Sequence, residues 1–452
     1  MNSSFIHDKV GLVVCCGLFL LCPMAGSYPL DGGDQSGIRR LQGYINAQQR
    51  ASGPKLPPGA LLNSDEIQLS LLSNAQTPDF DAVPPDPELD AALNSIFRNR
   101  DPSYGVVVVD ISDPDRIAWA GIRPDTKQNP GSVGKVMTMI GLFDALARAF
   151  PETDDRARIL RETEVDAGDW VLGSSNDVPH YDAATGFNRF GPVRPDNRLR
   201  LSEWIDHMIS PSANAAASVV WREAILIRNF GSEYPIGTER ADAFFRDTPK
   251  KQLTGLGLSV IGEPLHRAGI NVQDIQQGSL WTRTGKTRVP GTNSFATPRE
   301  LARIMFRLEQ GRLVDLWSSL EMKRYLYMTK RRYRYAFAPE LHDAAIYFKS
   351  GSFYGCKEEA GFKCRKYMGN VRNLMNSVAI IESPATPSMQ ADAPGRRQTR
   401  YIVALMSNVL RVNSAWDHSR MAVAIDKAVK TRGEVEVKEK AGEAEMKAAG
   451  EG

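Results

Sequence analysis

From Glu88 onward the chain alternates between two hydrophobic periodicities. Leu89, Ala92, Leu93, Ile96 and Phe97 recur at helical spacing and predict a helix over Glu88 to Arg98. Tyr104 to Ile111 is a β-branched run. Asp113-Pro114-Asp115 signals a turn after it, and Arg116 to Ile122 reads as the hairpin partner. Ser132 to Phe150 is strongly apolar, with Val136, Ile140, Leu142 and Phe143 at helical spacing and a helix-starting serine at its head. Asp154 to Ala338 has many helical segments and few convincing strands; the clearest helices are Ser202 to Ile209, Asn214 to Ile227 and Pro298 to Gln310. Strand-like runs return at Ala344 to Lys349, Val371 to Ile381 and Arg400 to Met406, with a Pro-rich polar loop, Pro384 to Thr399, before the last. Ala415 to Val429 closes with a helix. This order predicts an α/β chain of the α+β type, in which an antiparallel sheet is flanked by helices and accompanied by an all-helical subdomain.

The two ends differ from this middle. A polar start containing one lysine, Lys9, leads into the apolar run Gly11 to Leu21 and then into Pro23-Met24-Ala25-Gly26-Ser27. That pattern predicts a secretory signal peptide over residues 1–27, cleaved before Tyr28; the run is short for a membrane span. An uncleaved anchor is the alternative, and a lipoprotein with Cys22 acylated is disfavoured by the large Leu21 before it. The protein is therefore expected in the cell envelope, secreted or periplasmic, with no transmembrane domain once the signal is removed. Residues 28–87 are rich in Gly, Pro, Gln and Ser, with a short helix predicted at Gly37 to Arg50 and a second segment at Asn63 to Leu72. They read as an extension packed on, or tethering, a main domain of residues 88–432. Residues 433–452 are Glu, Lys, Ala and Gly without an apolar stripe, and read as a solvated, frayed tail.

At 452 residues, 42% hydrophobic and 24% charged, the chain can bury one large core or two modest ones. A formal charge of +3 gives no electrostatic case for a nucleic-acid partner. Cys15, Cys16 and Cys22 fall in the signal, leaving Cys356 and Cys364. Outside the cytoplasm these predict one disulfide, the alternative being two free thiols. No cofactor is called for, and the six histidines show no metal-ligand spacing.

Three short motifs occur in order: Ser132-Val133-Gly134-Lys135, Ser212-Ala213-Asn214 and Lys349-Ser350-Gly351. On a helix, positions i and i+3 share a face, so Lys135 lies beside the Ser132 hydroxyl and can take its proton. A second Ser-x-x-Lys, Ser52 to Lys55, contains Pro54 and cannot form that turn. Ser132 at a helix start also aims its own N–H at a developing oxyanion. Ser212 is placed to relay a proton to a leaving group, and Asn214 to hold Lys135 and a substrate carbonyl. A rival, Ser174-Ser175-Asn176, lies among Gly, Asn, Asp and Pro with no helix around it. Lys349 supplies positive potential, Ser350 a hydroxyl for a carboxylate, and Gly351 room for a substrate backbone at a strand edge. Each motif alone also has a structural explanation: a helix cap, a capping turn, an edge strand.

Together the three motifs resemble the serine β-lactamase and penicillin-binding-protein superfamily, and most of all the class A β-lactamase catalytic domain, from about Glu88 to Val429. The resemblance takes in Leu201 to Ala217 and the segment Asn293-Ser294-Phe295-Ala296-Thr297 before Pro298 to Gly311. It implies a β-lactamase/transpeptidase-like fold with Ser132 as nucleophile and Lys135 and Ser212 as proton carriers. It also implies that Asn214, Lys349 and Ser350 bind substrate and that the N–H groups of Ser132 and Ser352 form the oxyanion hole. Two departures stand out. Ala213 occupies the position where class A enzymes usually carry Asp, and no Glu-x-x-Leu-Asn follows, the loop whose Glu activates the deacylating water. Glu239, Asp242 and Asp247 lie in the region without that pattern.

The expected activity is acyl transfer from an amide or ester through a serine acyl-enzyme, with a small-molecule or peptide substrate such as a β-lactam or a peptide of peptidoglycan. The contrasting expectation is a non-hydrolytic envelope protein that keeps the fold for binding. Gly285-Lys286-Thr287 is not a phosphate loop, since Leu280 stands where that motif needs glycine. Lys323 to Tyr335 interleaves six cations with tyrosines, either as an anion-binding surface or as a solvated helix face.

Overall fold

The structure is a computed structural model that describes residues 30–50, 56–72, 79–174, 176–329, 333–385 and 398–450. The expected signal peptide lies outside these residues, as do the second Ser-x-x-Lys and most of the Pro-rich loop. Five strands form one antiparallel sheet: β1 (Gly105–Asp110), β2 (Ala118–Ile122), β7 (Ala345–Gly355), β8 (Arg372–Ser383) and β9 (Thr399–Asn408), in the order β2-β1-β9-β8-β7. Val108 pairs with Ala120 and Val403, and Ser350 with Ser377, so β7 is an edge strand.

Strand alternation splits the core in two. Val106, Val108, Ile346, Phe348, Ala379, Val403 and Leu405 face Leu89, Leu93 and Phe97 of the Pro87–Phe97 helix and Met421, Ile425 and Val429 of the C-terminal helix. The other face, including Val107, Val109, Tyr347, Val378, Ile380 and Ala404, packs on a larger core built around the Lys135–Ala149, Asn214–Phe230 and Pro298–Glu309 helices. The region between β2 and β7 is not wholly helical, contrary to expectation. It holds two small ladders, β3 (Glu164–Asp166) with β6 (Arg198–Arg200), and β4 (Asp177–Asp182) with β5 (Phe187–Pro192). β5 is polar and half-exposed, so it shows no hydrophobic alternation. Side-chain amides hold its hairpin instead, Asn188 donating to the Arg40 carbonyl at 2.9 Å and Asn46 to that of Gly186 at 2.8 Å.

The segment before residue 88 packs on the main body. Ile38, Leu41, Leu62, Ile67, Leu71 and Phe80 belong to the larger core, and the buried Arg40 guanidinium pairs with the buried Asp206 carboxylate. A short helix forms at Arg40–Gln48, while residues 63–72 are turn and extended chain. Among the described residues of the basic segment 323–335, the side chains of Lys323 and Arg334 and of three tyrosines turn inward. Lys323 is fully buried between Glu309 at 2.6 Å and Glu382 at 2.7 Å, Arg334 is buried, and Tyr325, Tyr327 and Tyr335 are core residues. Lys330, Arg331 and Arg332 lie outside the described residues. The final helix runs Ala415–Gly450, through the tail expected to fray, because Ala, Glu and Lys favour helix without needing an apolar stripe. No helix among the described residues is long and apolar enough to cross a membrane, and none of their His, Cys, Asp and Glu side chains group as metal ligands.

His418 on that helix is buried against Ser407, its Nε2 3.1 Å from the hydroxyl, and beside the Tyr104 ring. Desolvation, with Arg334 nearby adding to it, depresses its pKa to about 3. Below the unfolded value near 6.5 the unfolded chain binds this proton and the native protein does not, so stability falls as pH drops from about 6.5 to about 3. His418→Gln is expected to make that acid limb shallower by about 5 kcal/mol, an order-of-magnitude figure, in urea unfolding measured across the window. Parallel acid limbs for the two proteins would refute the assignment.

Candidate active site

Ser132 sits in a 3₁₀ turn, Gly131–Gly134, that runs directly into the Lys135–Ala149 helix. The turn lies flat against the edge strand because both contact points are glycine. A Cβ on Gly131 would fall 2.9 Å from the Ser352 nitrogen, and one on Gly351 would fall 2.3 Å from the Pro130 oxygen and 2.8 Å from the Ser132 nitrogen. Gly131 also has φ 54°, and its N–H donates to Asn129 Oδ1 at 2.9 Å. Gly351 thus makes room for the serine turn, where the sequence had indicated room for substrate. The backbone nitrogens of Ser132 and Ser352 are consequently brought to neighbouring positions across this contact.

Lys135 is fully buried. Its Nζ lies 3.1 Å from Ser132 Oγ, 2.8 Å from the Ser212 carbonyl oxygen, 2.8 Å from Asn214 Oδ1 and 3.3 Å from Ser212 Oγ. The Trp281 ring covers it at 4.7 Å. Lys349 reaches the same point from β7, donating to Ser212 Oγ at 2.9 Å and to the Ser350 carbonyl at 2.8 Å. Ser212 is the hinge of the group, held at φ 62°, a left-handed conformation uncommon for a residue with a Cβ. Of the residues singled out from sequence, Ser132, Lys135, Ser212, Asn214 and Lys349 meet in one hydrogen-bonded cluster. Ser350, Gly351 and Ser352 line the strand beside it, and Cys356 and Cys364 form a disulfide just beyond the end of β7.

The rival Ser174 and Asn176 support the second motif. Ala213, the residue before the Asn214–Phe230 helix, has no side-chain cap to offer. Asn176 Oδ1 accepts from the Asn214 N–H and Ser174 Oγ from the Ala215 N–H, both at 3.3 Å, satisfying two helix-start donors from outside. Ala213 itself is fully buried, so apolar packing replaces the carboxylate of the resembled motif.

Two residues escaped the sequence reading, and a third, Arg334, was read only as one cation of the Lys323 to Tyr335 run. Gln277 is buried with its Oε1 2.1 Å from where a Gly134 Cβ would stand, while its Nε2 donates to the Ser279 carbonyl at 2.8 Å. Gln277 and Trp281 form a wall against the serine turn, since both would meet a Cβ placed on Gly134. They are the first and fifth residues of Gln277-Gly278-Ser279-Leu280-Trp281, which keeps the spacing and the leucine of Glu-x-x-Leu-Asn and replaces both polar ends. The five-residue stretch is therefore present with altered chemistry, and the Leu280 in fourth position was the available signal. Asp242 and Asp247, weighed for that role, pair with Arg288 and Arg246. Arg334 is the third: buried, at φ 63°, its Nη1 donates to the Gly351 carbonyl at 2.7 Å, and its guanidinium stacks on Tyr333 and Tyr367.

A sequence model described as the Beta-lactamase enzyme family matches residues 88–363, more than half of the chain. No curated protein matches it. Solved structures similar to it include a β-lactamase from Sphaerobacter thermophilus, 16% identical over 75% of this chain and 94% of that one, TM-score 0.45. A class A β-lactamase representative from Bacteroides cellulosilyticus is 14% identical over 76% and 96%, TM-score 0.47, and PBP-A is 14% identical over 78% and 99%, TM-score 0.44. The match across residues 88–363 places this chain in the beta-lactamase enzyme family, a family of serine hydrolases.

Proposed function

We propose that the protein is an exported acyl-transfer enzyme in which Ser132 is the nucleophile and Lys135 its base, and that its acyl-enzyme is long-lived. The observation that carries this is the environment of Lys135 Nζ. The Ser212 carbonyl and Asn214 Oδ1, both at 2.8 Å, are obligate acceptors and use two N–H bonds, leaving the third direction toward Ser132 Oγ at 3.1 Å. A neutral amine so held has its lone pair on the serine hydroxyl. Ser132 Oγ then bonds to the carbonyl carbon of an amide or ester as its proton passes to Lys135 Nζ. The oxyanion lies on the N–H groups of Ser132 and Ser352. Collapse expels the amine or alcohol, which takes a proton through the Ser212 hydroxyl that bridges the two lysines. Lys349, Ser350 and the buried Arg334 make the β7 side of the groove attractive to a substrate carboxylate, which favours peptides with a free carboxylate and β-lactams over neutral esters.

Resolution of the acyl-enzyme by water is the weak step, since Gln277 and Trp281 offer no base beside the ester. The same feature favours the second reading, an envelope protein that binds such ligands without turning them over. Intact mass after incubation with a fluorophosphonate and, separately, a penicillin separates the two. Adducts on the wild type with both reagents, a penicillin adduct that persists, and none on Ser132→Ala are the expected results. No adduct on folded wild-type protein would favour the binding protein, and equal labelling of Ser132→Ala would displace Ser132 as the nucleophile.

A further inference from the structure

We infer that the disulfide-closed loop after β7 is a docking surface for an anionic glycan, a sugar polymer bearing carboxylates or phosphates. This inference is independent of acyl transfer. Three observations carry it. The first is charge: residues 356–372 hold Lys357, Lys363, Arg365, Lys366 and Arg372, all exposed and none in an ion pair within the described residues. Against them stand Glu358 and Glu359, and Glu359 is neutralised by Arg411 at 2.7 Å.

The second observation is the aromatic surface among these cations. Phe353 and Tyr354 are 40% and 38% exposed, with the Arg372 guanidinium 3.9 Å from the Phe353 centroid and Lys366 5.1 Å from that of Tyr367. Arg372 covers one face of the Phe353 ring and leaves the rest exposed, while Tyr354 projects from the other face of β7 toward Tyr367. The loop thus offers apolar ring surface beside cations on both sides, suited to the C–H faces and acidic groups of sugars. The third is continuity. β7 carries Lys349-Ser350-Gly351 at the cluster and reaches Gly355 about 13 Å further along, at roughly 3.3 Å per residue. A polymer held on the loop therefore lies in line with the groove.

The loop is built to keep its shape. Cys356 and Cys364 are bonded, the Lys357 N–H donates to Asn370 Oδ1 at 2.9 Å, Asn370 Nδ2 donates to Glu359 at 2.8 Å, and the Arg411 N–H donates to the Gly369 carbonyl at 2.8 Å. Charge on its outer face can thus be reversed without unmaking it.

The test compares the mature wild type with a Lys363→Glu, Arg365→Glu, Lys366→Glu variant and with a Phe353→Ala, Tyr354→Ala variant, all checked for an unchanged thermal midpoint. The probes are alginate, neutral dextran of similar length and phosphatidylglycerol vesicles. Expected are a loss of alginate affinity of about tenfold or more in the charge variant, weakened further by salt for the wild type, and a several-fold loss in the aromatic variant. Dextran should bind poorly throughout. Alginate affinity indifferent to both variants, or a dependence on these residues seen with vesicles alone, would overturn the inference.

Discussion

Replacing Lys135 by Met should slow acylation of Ser132 by roughly 10²–10⁴-fold, the range for removal of a positioned general base. Methionine keeps most of the volume of a fully buried side chain and removes the amine 3.1 Å from Ser132 Oγ that takes its proton. Lys349 Nζ is already engaged with Ser212 Oγ at 2.9 Å and the Ser350 carbonyl at 2.8 Å, on the far side of the Ser212 hydroxyl from Lys135. The variant loses the partner of Asn214 Oδ1 and of the Ser212 carbonyl. A stability cost of about 1–3 kcal/mol therefore accompanies the loss of rate and is measured separately by urea unfolding. The rate itself is followed as growth of the penicillin adduct by rapid-quench mass spectrometry. Acylation within threefold of wild type in a folded Lys135→Met protein would remove Lys135 from the mechanism.

Residues of this cluster were legible wherever chemistry and local periodicity coincide. Ser132 and Lys135 share a turn, so their meeting follows from spacing of three. Lys349 ends a short apolar, strand-like run, Ala344 to Phe348, so its place on a strand could be read as well. That Ser212 and Lys349 would meet needed the resemblance, because nothing local to either sequence brings them together. The least legible features depend on long-range packing. Lys323 sits in a basic run that reads as surface, and only the fold supplies the Glu309 and Glu382 carboxylates that let it be buried. Asn176 looked like part of a loop motif, and its value as a cap depends on the Asn214–Phe230 helix starting beside it. β5 lacks alternation, and its hairpin is held by amide bonds to a segment about 140 residues earlier, one donated by Asn46 of that segment and one by Asn188 of β5 to the Arg40 carbonyl.

The wall that Gln277 and Trp281 form against the serine turn yields the sharpest distinction between hydrolysis and arrest. Gln277→Glu should shorten the life of the penicillin adduct by about 10²-fold, the low end for a positioned general base, with acylation left near its wild-type rate. The substitution exchanges one amide nitrogen for oxygen at a side chain already in contact with the Ser132-to-Lys135 turn, so a carboxylate there is placed to activate a water beside the acyl ester. It also removes the Gln277 Nε2 bond to the Ser279 carbonyl, a loss of about 1–3 kcal/mol. Trp281 is the second obstacle, since its ring covers Lys135 at 4.7 Å and occupies the space such a water requires. Adding Trp281→Asn should therefore shorten the adduct lifetime further than Gln277→Glu alone, as decay of adduct mass after a desalting chase would record. If the adduct persists unchanged in both folded variants, the long life of the acyl-enzyme does not originate at this wall, and the orientation of the ester on the β7 side becomes its cause.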